Sequence, residues 1–423
     1  MNLIFHRRTN NVDGTCVELI NKEARMILDI GVPLNLDIPE GDEFRFLEQY
    51  RPKVKGLYKD STDTNLVTAV IVSHFHPTHR KFLADVHPKI PVYLSEEAFV
   101  VMKTLEIFNA DRILPENYKI IDSKQKMIYS LGDFTVQAVI VDNTALGALG
   151  FIIKCGGRTV VYTGGLIAHG TKDKNIEYFK KEIQNEPDLL MIEGTMAGSP
   201  GTEQEINNIL MNTSAWPVLI NARPVNLDYI MNIVWACKRA QAVFVIDLLT
   251  AYIYLEARAL DWDIPDLRQD LFNVIFIPGQ EKALKDANQT EFLAKVFKNN
   301  IKFAELAENK RRIVMFRPEY VDDYGRKKVN LINKTMIYSQ YDSAYPGQEA
   351  KLEEFNEYIS KQNIRIHNIP ESSPSYTKTL KSFIEDLHPR MVVPVQTSIP
   401  EKLNELFECQ NIRLVADGDL IRI

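Results

Sequence analysis

Cysteine is scarce: four in 423 residues, Cys16, Cys155, Cys237 and Cys409, far apart and without paired spacing. That argues against a disulfide framework and against a cysteine-based zinc site. No apolar run approaches the roughly 20 residues of a membrane span. Met1–Phe5 runs straight into His6-Arg7-Arg8, too short a stretch for the apolar centre of a signal peptide. These absences lead us to expect a cytoplasmic, reduced setting. There is no excess of positive charge either; the net charge of −6 removes any global electrostatic case for nucleic-acid binding. A local basic groove stays compatible with it, and Arg223, Arg317, Arg326, Lys327 and Lys328 are candidates to line one. The competing reading makes them ordinary solvated surface. The chain also lacks a P-loop, a Gly-x-Gly-x-x-Gly turn and a Gly-x-Ser-x-Gly elbow, and it has no internal repeat or low-complexity tract.

What the chain has is material for a full core, with 45% hydrophobic and 25% charged residues, over a length that favours two domains or one domain with an insertion. Cys16–Ile20 and Ala24–Leu28 read as a hairpin, and Leu66–Val72 as a β-branched strand buried on both faces. Phe134–Val141, Gly150–Lys154, Thr159–Tyr162 and Leu189–Ile192 continue the strand texture, and Thr202-Glu203-Gln204-Glu205 is a capping-box pattern opening a helix. From about residue 206 strands alternate with helices: Val218–Ile220, Leu227–Lys238, Val243–Ile246, Ala251–Ala259, Asn273–Ile277 and Ile313–Phe316, with a Lys-rich helical stretch over Glu281–Phe303. That alternation predicts βαβ units and a parallel sheet. Past about residue 346 a helix over Gln348–Gln362 is followed by strand, helix and strand, ending at Val395.

The most informative stretch follows the Leu66–Val72 strand: Ser73-His74-Phe75-His76-Pro77-Thr78-His79. Residues two apart at a strand end share a face, so His74 and His76 present imidazoles side by side, and Pro77 turns the chain so that His79 swings back. Imidazole is a common ligand for zinc and similar ions. On spacing alone, a metal site and a chance cluster held by loop hydrogen bonds are equally good readings.

Val70–His79 resembles the metallo-β-lactamase signature, His-x-His-x-Asp-His after a hydrophobic strand. Further stretches agree with that family in order along nearly the whole chain. Ile27-Leu28-Asp29-Ile30-Gly31 is similar to its Asp-x-Gly strand motif, Val141-Asp142-Asn143 to the third motif, and Val161-Tyr162-Thr163-Gly164-Gly165 to the fourth, normally Tyr-Thr-Gly-Asp. Leu190-Met191-Ile192-Glu193-Gly194-Thr195 resembles a motif of the RNA-processing β-CASP and RNase J-like branch, and Asn226–Ala251 resembles a helix-strand unit of its inserted domain. Ser372-Ser373-Pro374 and Pro394-Val395-Gln396-Thr397 stand where that branch has Ser-Gly-His and Pro-Val-His-Thr. The resemblance implies an α/β chain: an αββα metallo-β-lactamase sandwich from residues 1–205 plus 346–423, with a β-CASP-like α/β domain inserted at 206–345.

In that family two metals share a hydroxide that attacks a phosphodiester or acyl group. Carried onto this chain, the first metal would keep His74 and His76 but find Asn143 in place of its third histidine. The second would keep His79 but find Thr78 for its aspartate and Gln396 for its late histidine. Gly165 replaces the bridging aspartate and Pro374 the phosphate-contacting histidine. Two adjacent dications repel and need anionic ligands, so a dinuclear centre is not expected. A single zinc or other divalent ion on His74, His76 and His79 remains the alternative. Glu193 is the best surviving acid near the expected cleft and Ser372 a weaker candidate for substrate binding; Asp142 would point to the other face of its strand. Asp29 is expected to organise the histidine loop, and His169 follows the fourth motif without a ligand role. The expected function is therefore binding of a nucleic acid, a nucleotide or a protein partner by a pseudoenzyme, away from membranes and with self-association open. The alternative is a ribonuclease-like hydrolase working with one metal.

Overall fold

The computed structural model describes residues 1–7, 14–33, 36, 43–109, 112–166, 173–184, 186–193, 202–268, 270–339, 349–369, 377–396 and 411–423. It is a mixed α/β chain with three multi-stranded sheets. Its residues group into two compact units: Met1–Met102, Arg112–Gly198 and Ser373–Ile423 form one, Lys103–Asp111 and Ser199–Ser372 the other. The expected boundaries at 205/206 and 345/346 therefore move to 198/199 and 372/373. The shift has two causes. The helix Thr202–Asn212 packs on Leu227–Ala240. The strand Arg365–Asn368 pairs in parallel with Thr335–Tyr338, which draws the residues after 346 into the second unit.

The first unit has two mixed sheets. One runs, in spatial order, Leu420–Arg422, Asn2–Phe5, Val17–Asn21, Ala24–Leu28, Ala69–Ile71, Val92–Ser95 and Tyr118–Ile121. The other runs Val392–Val395, Leu189–Glu193, Arg158–Tyr162, Leu149–Cys155, Phe134–Ile140 and Ile128–Leu131. Alternate side chains of both sheets meet in one core, in which Leu3, Phe5, Leu19, Met26 and Leu28 pack with Phe134, Val136, Phe151, Ile153 and Met191. The outward face of the second sheet (Val139, Ile152, Val161, Leu190 and Ile192) is covered by the helices Asp173–Glu182 and Thr377–Leu387, through Ile176, Phe179, Leu380, Phe383 and Ile384. The Leu66–Val72 run is a strand only over Ala69–Ile71, because the Val67 N–H turns aside to the Gly56 carbonyl.

The second unit holds an all-parallel sheet in the order Asn300–Ile301, Phe272–Ile275, Val243–Asp247, Arg312–Met315, Val218–Asn221, Thr335–Tyr338 and Arg365–Asn368. The helical stretch expected over Glu281–Phe303 is two helices, Pro278–Asp286 and Thr290–Phe297, because Asn288 takes a left-handed conformation (φ 59°) that ends the first. Asp247 caps the helix Leu248–Ala259 by accepting from the Thr250 N–H at 2.6 Å, while its other oxygen accepts from Arg317 Nη2 at 2.9 Å and from the Tyr320 hydroxyl. Gln280 accepts from the Leu248 and Leu249 N–H groups at 3.0 and 3.3 Å. Arg317 is thus a buried partner of Asp247 and Tyr320, and it is not available to line a cleft. Arg326, Lys327 and Lys328 are exposed, with Arg326 paired to Asp323. Among the described residues no helix is long and apolar enough to cross a membrane.

A chain ending at Ser372 loses the helix Thr377–Leu387 and the strands Val392–Val395 and Leu420–Arg422. Leu380, Phe383, Ile384 and Leu387 alone, at about 1.5–3 kcal/mol for each buried side chain, rival the roughly 5–15 kcal/mol stability of a whole domain. The first unit of that fragment should therefore show no cooperative thermal transition. A soluble fragment 1–372 in which strands 1–193 keep native near-ultraviolet signals would contradict the architecture.

Candidate functional site

The site is built where two loops of the first unit close on each other. After Ala69–Ile71 the chain enters Ser73–His76 and then a single helical turn, Pro77–Arg80, whose first position suits proline. The Arg80 guanidinium donates to the Phe75 carbonyl at 2.6 Å and holds the loop shut. The other loop follows Ala24–Leu28. Asp29 adopts φ 56°, its N–H bonded to the Ile71 carbonyl, and the Ile30 N–H donates to the His79 carbonyl at 2.7 Å. Gly31 lies so close that a Cβ there would sit 1.6 Å from the Thr78 carbonyl oxygen. This approach, and no feature of the strand itself, is what requires glycine in the Asp-x-Gly motif.

Asp29 is fully buried and its carboxylate is saturated. It accepts from the Ser73 N–H (2.7 Å), the Ser73 hydroxyl (2.8 Å), the Tyr162 hydroxyl (2.6 Å) and His79 Nδ1–H (2.8 Å). Burial, with Asp29 adjacent, pushes the Tyr162 phenol well above its usual range, so it stays protonated and donates. Asp29 can only accept, so Nδ1 of His79 is the donor, and in the neutral ring this leaves the lone pair on Nε2, facing the Gln396 amide nitrogen. That lone pair accepts the Gln396 side-chain N–H at 2.8 Å. The same amide donates to Thr15 Oγ1 at 2.8 Å, and Gln396 holds φ 50° while only 2% exposed. His74 donates from Nδ1 to Ser73 Oγ at 3.0 Å, its hydroxyl proton being committed to Asp29. Burial, followed by the neighbouring His79 and His76, drives the His74 pKa well below that of a free imidazole, so it is neutral. The His74 ring lies 3.8 Å from that of His79 and 4.8 Å from that of His76, centroid to centroid.

On the far side of His74 stand Asn143, Gly165 and Glu193. Asn143 Oδ1 accepts from the Ala145 N–H at 2.8 Å, an Asx turn, while Nδ2 donates to the Gly165 carbonyl. A Cβ at Gly165 would fall 2.2 Å from Asn143 Nδ2, 2.9 Å from Glu193 Oε2 and 2.9 Å from His74 Cε1. Gly165, Asn143, Glu193 and His74 therefore surround one point, and Asn143 fills the room a side chain at 165 would need.

The sequence-expected residues His74, His76, His79, Thr78, Asn143, Gly165, Glu193 and Gln396 all fall in this one neighbourhood of the first unit. Asp142 points elsewhere, bonded to Asn175 on the covering helix at 2.5 Å. Ser372, Pro374, His169 and Cys409 lie outside the described residues. Sequence reasoning missed Ser73, Tyr162 and Thr15 as members of the network; Ser73 and Tyr162 stood inside the quoted motifs, but nothing in their spacing shows that both reach Asp29.

The donor set does not fit the two metals that the resemblance implies. The His79 lone pair is taken by Gln396, the bridging position at Gly165 has neither a carboxylate nor space for one, and Asn143 spends both ends of its amide on backbone. Among the described residues, no three His, Cys, Asp or Glu side chains are grouped to hold a metal ion.

A chain with two face-to-face mixed sheets, a parallel-sheet unit and a closed histidine cluster is what these residues define. No family model matches it, and no curated protein does. Among solved structures it is similar to a protein of unknown function from Enterococcus faecalis V583, with a TM-score of 0.75 and 19% sequence identity over 99% of each chain. At that identity the likeness shows a shared fold from end to end.

Two sets of substitutions test the network. Replacing Gly31 by Ala should destabilise the protein by about 3 kcal/mol or more, since backbone must move, whereas Gly279→Ala, with open space at its Cβ, should change stability by less than about 1 kcal/mol. Tyr162→Phe removes one donor from a buried carboxylate and should cost about 2 kcal/mol, and Asp29→Asn, which turns an acceptor toward donors, about 3 kcal/mol. Denaturant titration measures all four. An Asp29→Asn protein as stable as its parent would show that the carboxylate does not organise the loop.

Proposed function

We propose that this chain is a catalytically degenerate protein of the metallo-β-lactamase fold, from its RNA-processing, β-CASP-like branch, acting in the cytoplasm by binding and not by turnover. The observation that carries the reading is His79 caught between Asp29 and Gln396, with both ring nitrogens used by protein groups. A hydrolytic metal centre needs imidazole lone pairs, a bridging carboxylate and an acid to orient water. Here Gln396 covers one lone pair, and Gly165 and Thr78 supply no acid. His74, neutral and hydrogen-bonded through Ser73 to Asp29, is left as a member of a structural network. Asn143, Thr144, His76 and Glu193 are partly exposed and would form the polar lip of a binding surface for a nucleotide, a nucleic acid or a protein partner.

One observation favours the rival reading of a hydrolase with a single metal on His74, His76 and His79: the three rings are close together. Metal content decides between them, measured by mass spectrometry on protein purified without a nickel column, beside a His74→Ala/His76→Ala control. The proposal expects far less than one metal per chain and no metal-dependent cleavage of RNA or single-stranded DNA. About one zinc, manganese or iron per chain, lost in the control, with turnover abolished by His76→Ala, would overturn it.

A further inference from the structure

We infer that Gln396 and Asn143 are amide clamps that do with protein–protein hydrogen bonds the cross-linking that a metal ion does between the same segments of a metalloenzyme. Three stretches far apart in sequence meet at the Gln396 side chain: Thr15, the Thr78–His79 turn, and the end of the strand Val392–Val395, which Gln396 follows. Its Nε2 lies 2.8 Å from Thr15 Oγ1, 2.8 Å from His79 Nε2 and 3.5 Å from the Thr78 carbonyl. The Thr15 N–H returns a bond to the same Thr78 carbonyl at 2.9 Å. Asn143 does the matching work on the other side, tying the 143–145 turn to the Gly165 carbonyl. Gln396 is also held in a left-handed conformation, which persists in a non-glycine residue only where surrounding contacts fix it.

The chemistry of the clamp explains the rest of the neighbourhood. Two neighbouring dications need anionic ligands around them, and an amide link needs none. With an amide in the link, a carboxylate at 78 or 165 would be a buried charge with no partner, and those positions hold Thr78 and Gly165. The comparison with a metal rests on the proposed fold relationship. The clamp itself rests only on the distances above and can fail while the metal-content and cleavage results stand.

Thermal unfolding of the full chain tests it. The parent protein should melt at the same temperature with a chelator, with added zinc and with neither. Gln396→Met keeps volume without polarity and has no N–H to give His79. It should lower Tm by about 5 °C, the range expected from one buried acceptor left unsatisfied. Asn143→Ala should lower it by a similar shift. A merely space-filling Gln396 would tolerate Gln396→Met, and parental melting of that variant would overturn the inference. So would a chelator- or zinc-dependent shift in the parent, which also decides the matter should the variants not fold.

Discussion

His79 has two ring nitrogens, and the architecture of the first unit depends on how both are used. Nδ1 gives its proton to a fully buried Asp29, which fixes the tautomer; Nε2 then has a lone pair that something must satisfy in a site closed to water. Gln396 satisfies it, and in doing so fastens the end of the strand Val392–Val395 to the turn that carries the histidines. Asp29 and Gln396 both take left-handed backbone conformations. The chain tolerates that at the two residues flanking one imidazole because each makes several buried hydrogen bonds there.

From this constraint the chemistry of the neighbourhood follows. Ser73 passes the influence of Asp29 to His74, whose pKa is held down by burial and by its two imidazole neighbours. Asn143, turned onto backbone, crowds Gly165, so that no acid can enter from that side without moving the turn. The result is a neighbourhood whose buried carboxylate, Asp29, is spent on Ser73, Tyr162 and His79, with Glu193 at its margin, and it lacks the paired anions that would make two metals stable together.

Much of this was legible in the sequence, and the limit of legibility is physical. The clustering of His74, His76 and His79 after a buried strand, and the absence of acids at 78 and 165, could be read directly, as could the alternation that makes the parallel sheet of the second unit. The order of the motifs suggested which distant residues belong together, and Asn143, Gly165 and Glu193 do meet beside His74, with Gln396 against His79. Sequence could not show that Gln396 donates to His79 or that Asn143 fills the space beside Gly165, because hydrogen-bond direction and packing depend on three dimensions. The domain limits slipped for a related reason: the strand Arg365–Asn368 belongs with Thr335–Tyr338 through ladder hydrogen bonds, which leave no mark in composition. Arg317, open in the sequence to being a cleft cation or solvated surface, is neither; a buried ion pair and a solvated arginine read alike in a string of letters.

The most direct measurement is of the His79 ring nitrogens by nitrogen-15 NMR of histidine-labelled protein, assigned with a His79→Gln variant, before and after one equivalent of zinc. The account predicts a protonated Nδ1 and an unprotonated, hydrogen-bonded Nε2, with both resonances unmoved by zinc. A zinc-induced shift at Nε2 would mean that the lone pair is free to leave Gln396 for a metal, and would contradict the claim that protein groups alone close this site.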